Sequence, residues 1–428
     1  MSESVDKKEI NISEKPQKKV LVFSITYHPF IGGAEVAVRE ITDRLPNIKF
    51  DMITLRLDPK LPKFERVDNV NVYRIGFTTR SGMTYPPKFP INLNKTLYPV
   101  MALFKAIILH WRNRYDISWA IMANYAGFAA LFFKIINPRV SYLLTLQEGD
   151  SIAHIKNRVR FIPHLFKWIF TFADDVQAIS HYLADFAKHF GYKKQAYIVS
   201  NGVDIAQFTK KYPVYELDAL KKKLNKSLPY ESSADGEIPP RRGDIFLVTT
   251  SRLVEKNAVI DIVDALVYLP NHVKLLVLGD GPEMKNIHKS ARSNNVLDRI
   301  HFLGLVPYED VPKYLQISDI FVRPSLSEGF GNSFVEAMAV GLPVIATPVG
   351  GIPDFLFDPK RNPDKPSTGL FCKVKNPESI AKQVMNLIDN PKLRDTIVHN
   401  AKKMVHDKYD WNIVAQKMQH IFGAIIDK

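Results

Sequence analysis

The chain has 428 residues, a formal net charge of +14, and 46% hydrophobic and 24% charged residues. That length exceeds one ordinary hydrophobic core, so two domains are expected, and the composition is that of a soluble globular protein rather than a fibrous or disordered one. A single cysteine, Cys372, excludes an internal disulfide framework and fits a reducing cytosol.

Residues 1–18 are polar and charged with no apolar core, which fits a disordered tail and not a signal peptide. Residues 19–25 (K-V-L-V-F-S-I) form a short apolar run, the mark of a buried strand. Residues 26–33 form a turn, and Val36, Val38, Ile41 and Leu45 then recur at helical spacing before a second strand at 50–55. This is one β-loop-α-β unit of a parallel sheet. Gly32-Gly33 opens its helix and either lets a phosphate approach the backbone or only tightens the turn. Residues 97–111 and 158–172 are apolar, aromatic and edged with Lys and Arg. Each reads as a helix at a bilayer surface or as a core helix with a snorkelling rim. No run is long and uncharged enough to span a membrane. Residues 60–167 hold 16 Lys/Arg against 5 Asp/Glu, so most of the positive charge lies in the N-terminal half. Such a field draws anionic lipid or nucleic acid. Further strands are expected at 118–122, 140–146, 175–179 and 196–199.

Residues 209–243 read as charged and irregular, part linker and part mobile insertion. A second series follows: a strand at 244–250, a turn holding Arg252 and Lys256, a helix at 260–269 and a strand at 273–278. Strands at 300–303, 320–322 and 343–346 and a helical C-terminal third complete it. The same grammar twice implies an α/β fold of two doubly wound, Rossmann-like domains facing across a cleft, with ligands at the carboxyl ends of the strands. The domains are expected at 19–208 and 244–405, with residues 406–428 forming a helix that crosses back to the first.

Residues 328–336 read E-G-F-G-N-S-F-V-E, two carboxylates around a glycine-punctuated loop. Glu336 either binds a ligand or completes a capping box with Ser333. Glu328 precedes the helix, and Gly331, Asn332 and Ser333 offer amides at its start. Arg252 and Lys256 are placed to neutralise a diphosphate or simply face solvent. The 12 histidines are scattered without metal-ligand spacing, so no metal site is expected.

These residues resemble the retaining glycosyltransferases of GT-B fold, glycosyltransferase family 4, over roughly residues 19–421. The resemblance rests on P-S-L-S-E-G-F-G-N-S-F-V-E-A-M-A-V-G-L-P-V-I-A-T, on G-G-A-E at 32–35, S-N-G-V-D at 200–204, S-R-L-V-E-K at 251–256 and G-D-G-P at 279–282. It implies a nucleotide-sugar donor, UDP- or GDP-linked, and a glycan or lipid-linked acceptor in cell-surface polysaccharide or glycolipid synthesis. It further implies Arg252 and Lys256 on the diphosphate, Glu336 on the ribose, Glu328 on the transferred sugar with the amides of Gly331, Asn332 and Ser333, and Gly33 with Gly32 on the phosphate from the opposite domain. No cofactor and no metal are implied. With the basic N-terminal half, it suggests a cytoplasmic enzyme peripheral at the inner face of an anionic membrane, with no nucleic-acid partner. Two departures stand out. Gln147 and Glu148 occupy the neighbourhood of a frequent family histidine, with His154 a remote substitute on the acceptor side. Asn257-Ala258 stand where a glycine usually follows the lysine, so either Lys256 or Asn257 faces the phosphate. The rival readings are a phosphorylase or epimerase on a related scaffold, and a non-catalytic basic protein binding membrane or nucleic acid.

Overall fold

A computed structural model describes residues 17–30, 32–77, 91–226 and 243–426. The first sheet is built from β1 (Lys18–Phe23), β2 (Ile48–Leu55), β3 (Phe64–Val67), β4 (Val70–Ile75), β5 (Ile117–Ile121), β6 (Ser141–Leu146), β7 (Asp175–Ala178) and β8 (Tyr197–Ile198). Its order is β3-β4-β2-β1-β5-β6-β7-β8, parallel except where β3 pairs antiparallel with β4. The second sheet comprises β9 (Ile245–Thr250), β10 (Val273–Leu278), β11 (Ile300–Gly304), β12 (Ile320–Arg323), β13 (Val344–Ala346) and β14 (Leu370–Phe371). Its order is β11-β10-β9-β12-β13-β14, parallel throughout. The central strands read as continuous apolar runs because helices cover both faces of a parallel sheet; β5, I-S-W-A-I, is buried at every position.

The first domain's helices are α1 (Gly33–Asp43), α2 (Ile91–Asn113), α3 (Tyr125–Ile136), α4 (Ile152–Arg158), α5 (Pro163–Thr171) and α6 (His181–His189). Two helices, α7 (Ile205–Thr209) and α8 (Val214–Lys226), lead towards the second domain. That domain carries α9 (Val259–Ala265), α10 (Met284–Ser293), α11 (Val311–Gln316), α12 (Asn332–Val340), α13 (Pro377–Asp389), α14 (Pro391–Lys408) and α15 (Trp411–Ile426). The last helix crosses back. Phe422 packs edge-on against Trp119 and Phe50 of the first sheet, with ring centroids 5.2 and 6.0 Å apart. The crossing is pinned where Val203 N–H donates to Tyr409 O at 2.7 Å.

Two expectations change, and one strand pair was not expected. The apolar stretch 158–172 is not one helix: α4 ends at Arg158 and α5 begins at Pro163, whose ring cannot continue a preceding helical turn. The stretch 209–243 is not irregular at its start, since residues 214–226 form α8 with Leu217, Leu220 and Leu224 turned to the core. The antiparallel pair β3–β4 was not expected: β3 is half exposed, and in β4 the charged Arg74 occupies a buried position where an apolar residue would signal a strand. The tail (residues 1–16) and residues 227–242 of the expected insertion lie outside the described residues.

Candidate active site between the two sheets

The carboxyl ends of β1, β6, β9 and β12 open towards one cleft, where doubly wound sheets place their ligands. Two helices start there from opposite domains. α1 begins at Gly33 and α12 at Asn332, and neither has a side-chain cap. At α12 the first amides therefore stay open to an anion, whereas at α1 the buried Glu35 carboxylate already accepts its own backbone amide. A Cβ built on Gly33 would lie 3.7 Å from Asn332 Nδ2, so the two helix starts nearly touch. A Cβ on Gly32 would lie 2.4 Å from Glu35 Oε2, so a side chain there would displace the Glu35 carboxylate.

α12 starts one residue before Ser333, and this removes the capping box. Ser333 lies inside the helix, and its hydroxyl accepts from Arg323 Nη1 at 2.6 Å. Glu336 is then free of any capping duty. It is buried, and Tyr308 Oη donates to its Oε1 at 3.0 Å. Burial pushes its carboxyl up to about 7, with Tyr308 and the Arg323 charge pulling the other way.

Glu328 is held by Arg323, whose Nη2 contacts Oε2, in a pair almost closed to solvent. The guanidinium also lies 4.5 Å over the Phe334 ring. Below the loop sits Gly350, at φ +56, where a Cβ would meet Glu328 O at 1.8 Å. Only glycine fits that left-handed, crowded position. Arg323 and Gly350 were not singled out in the sequence; a lone arginine ending the F-V-R-P-S strand was the available signal.

Lys256 reaches across the cleft. Its ammonium lies 3.1 Å from Asp150 Oδ1 of the first domain, and Arg158 approaches the other oxygen at 4.0 Å. Burial alone would raise Asp150, but Lys256, His154 and Arg158 together hold its carboxyl below the usual range. Asn257 turns inward and donates from Nδ2 to Arg252 O at 2.7 Å. The side chain that enters the cleft is thus Lys256. Arg252 is exposed beside it. Lys95 of α2 is also close: burial, then the charges of Arg158 and Arg252, lower its ammonium.

The acceptor-side residues divide. Gln147 is buried and accepts from Asn201 Nδ2 at 3.2 Å; the same amide donates to Asn332 Oδ1 at 3.1 Å, joining the domains. Glu148 receives the Ala123 amide at 2.5 Å, and its Oε2 has no partner among the described residues. Burial pushes its carboxyl up to about 7. His154 lies exposed on α4 near Asp150 and not against Gln147 or Glu148. Among the described residues, no group of three or more His, Cys, Asp or Glu is placed to hold a metal ion.

The arrangement offers cations, two uncapped helix starts and two carboxylates around one space between domains. Such a set suits an anion joined to a polyhydroxylated group. A sucrose-phosphate synthase from Thermosynechococcus elongatus shares the fold, with TM-score 0.75, 21% identity, and coverage of 96% of this chain and 99% of that one. Anabaena HepE, solved in complex with UDP-glucose, shares it at TM-score 0.72 and 18% identity, with 95% and 99% covered. In sequence, the chain is similar to N-acetyl-alpha-D-glucosaminyl L-malate synthase of Bacillus anthracis, 26% identical over 417 residues, with 95% of this chain and 97% of the relative covered. The first domain matches the Glycosyltransferase Family 4 model at residues 31–207, and the second the Glycosyl transferases group 1 model at residues 233–404. With one model on each half of a GT-B fold, the chain belongs to glycosyltransferase family 4.

Proposed function

We propose that this glycosyltransferase moves a hexose or related sugar from a UDP- or GDP-linked donor to a glycan or lipid-linked acceptor, with retention of anomeric configuration. The observation that carries the reading is the convergence of Lys256, Glu328 and the starts of α1 and α12 on one interdomain space. Arg252 and Lys256 bind the diphosphate and stabilise its negative charge as it leaves. The amides of Gly33 and of Asn332 and Ser333 meet it from the two domains. Glu336 receives the ribose hydroxyls, and Glu328, fixed by Arg323, contacts the transferred sugar. Lys256 exchanges its ion pair with Asp150 for the donor diphosphate when the donor binds. HepE, with its UDP-glucose, supports a uridine donor as the first to test.

The acceptor hydroxyl attacks the anomeric carbon from the face that the diphosphate leaves. The C–O bond to the diphosphate breaks with its electron pair on oxygen, a new C–O bond forms, and the hydroxyl proton passes to the departing phosphate. The cations supply the charge stabilisation, so removing divalent ions with EDTA leaves turnover unchanged under this reading.

Donor identity is testable by thermal shift across nucleotide-sugars, since a ligand at about 100 times its Kd adds about 2.7 kcal/mol. With the donor found, Arg252→Ala and Lys256→Ala are each expected to lower kcat/KM by about 10²–10³-fold, the usual cost of losing one preorganised charge stabiliser. Wild-type turnover in both variants removes the diphosphate role. An inverted product anomer, read by NMR, removes retention.

A further inference from the structure

α2 exposes a continuous apolar stripe. Leu97, Val100, Phe104, Ile108 and Trp111 follow one another at steps of three or four residues, the spacing of a single helix face. The opposite face, Tyr98, Ala102, Ala106 and Leu109, is buried in the core. The stripe is therefore not a misplaced core face. Phe104 is 64% exposed and Trp111 74%.

The same helical layer continues the patch. α2 packs on α3, and α3 on α5, all against one face of the first sheet. α5 buries Phe166, Ile169 and Phe170 while exposing Trp168, and Phe161 just before it is 82% exposed. Monomeric soluble proteins rarely leave so many large apolar side chains outward on one layer.

Charge decides what covers this face. α2, α3, α4 and α5 contain no Asp or Glu, while Lys95, Lys105, Arg112, Arg158 and Lys167 lie on them; Lys134 of α3 is spent on Asp174 at 2.6 Å, and Arg158 approaches Asp150 at 4.0 Å. Arg160 adds its guanidinium 4.6 Å over the Phe161 ring. A second copy of this face would bring like charges together, which is repulsive. A surface that is apolar in depth and anionic at its rim matches both features. Among the described residues no helix is long and apolar enough to cross a membrane, so the contact lies along the surface.

We propose that the first domain docks on an anionic lipid bilayer through α2, α5 and the segment between α4 and α5, with Phe104, Trp111, Phe161 and Trp168 inserted and the cations Lys105, Arg112, Arg160 and Lys167 at headgroup level. The docked face leads into the cleft, because Arg158 at the end of α4 approaches Asp150, which also holds Lys256. An acceptor embedded in the bilayer would thus reach the active site without leaving the surface. Docking itself does not depend on the sugar-transfer reading.

The test is flotation of the full-length protein with vesicles of phosphatidylcholine alone or mixed with phosphatidylglycerol. Wild type is expected to float with the mixed vesicles, weakly with the neutral ones, and less as salt rises. A Phe104→Ser/Trp111→Ser/Phe161→Ser variant is expected to bind about tenfold more weakly or worse. Its melting temperature and its thermal shift with nucleoside diphosphate stay at wild-type values, because these side chains are outside the core and the cleft. Arg160→Glu/Lys167→Glu is expected to abolish the preference for anionic lipid. Equal flotation of the wild type and the serine variant, or no flotation of folded wild type, overturns the proposal. So does a wild-type dimer that the serine variant dissolves, which would give the face to a second copy.

Discussion

Glu328 shares its largely covered carboxylate with the buried Arg323, so one residue carries a structural and a proposed chemical task. Removing one partner of a buried pair strands the other, at a cost of about 3–5 kcal/mol. Glu328→Ala should therefore lower the melting temperature sharply whatever its chemical role. Glu328→Gln keeps an oxygen for the guanidinium and should melt near wild type while losing most turnover. Full turnover in the Gln variant would reduce Glu328 to the keeper of Arg323. In the sequence Glu328 looked free of structural duty, because its partner lies on β12 and no local pattern announces an ion pair. Lys256 shows the reverse. Sequence spacing left Lys256 and Asn257 open, and one inward hydrogen bond from Asn257 to the Arg252 carbonyl decides between them.

At the scale of elements, the turn after β9 holds a cost that the sequence hinted at. Ala258, where a glycine usually stands in the family, adopts φ 49 and ψ 39 as it starts α9. An L-residue in that left-handed region gives up about 1–2 kcal/mol, partly offset in glycine by its freer unfolded chain. Ala258→Gly is expected to raise stability by about 0.5–1 kcal/mol in denaturant unfolding, with donor binding unchanged. A loss of stability would mean that the Ala258 methyl, which is buried, contributes more by packing than the backbone loses. Periodicity served well where one face is buried, as in α1 and α2. It failed for β3, which is half exposed, for β4, where Arg74 takes a buried position in the alternation, and for the break at Pro163, which an unbroken aromatic run concealed.

At the scale of the molecule, the cleft collects two carboxyls that burial raises to about 7, Glu148 from the first domain and Glu336 from the second. Both start from a value of 4.5. Between these values the folded protein holds protons that the unfolded chain has released. Stability without ligand is therefore fullest below the unfolded value and declines as pH rises through about 7, by up to about 1.4 kcal/mol per pH unit for each group. Glu148→Gln and Glu336→Gln should each flatten that slope in urea titrations. If Glu336 accepts ribose hydroxyls it does so ionised, so donor affinity by calorimetry should weaken below pH 7 in wild type and not in Glu336→Gln. A slope that both variants leave intact would place the titrating group elsewhere.

The sequence by itself determined the two α/β domains, the residues 328–336 motif and the concentration of positive charge in the first half. These are properties of local order: apolar runs of strand length, glycines at turns, charges counted along the chain. Only the tertiary structure decided that Lys256 meets Asp150, that Asn201 joins Gln147 to Asn332, and that Tyr308 and Arg323 hold the two motif carboxylates. The tertiary structure also settled which faces of α2 and α5 are left uncovered. Lys256 and Asp150 lie 106 positions apart and Asn201 and Asn332 131 apart, and such contacts exist only once the two domains face each other across the cleft.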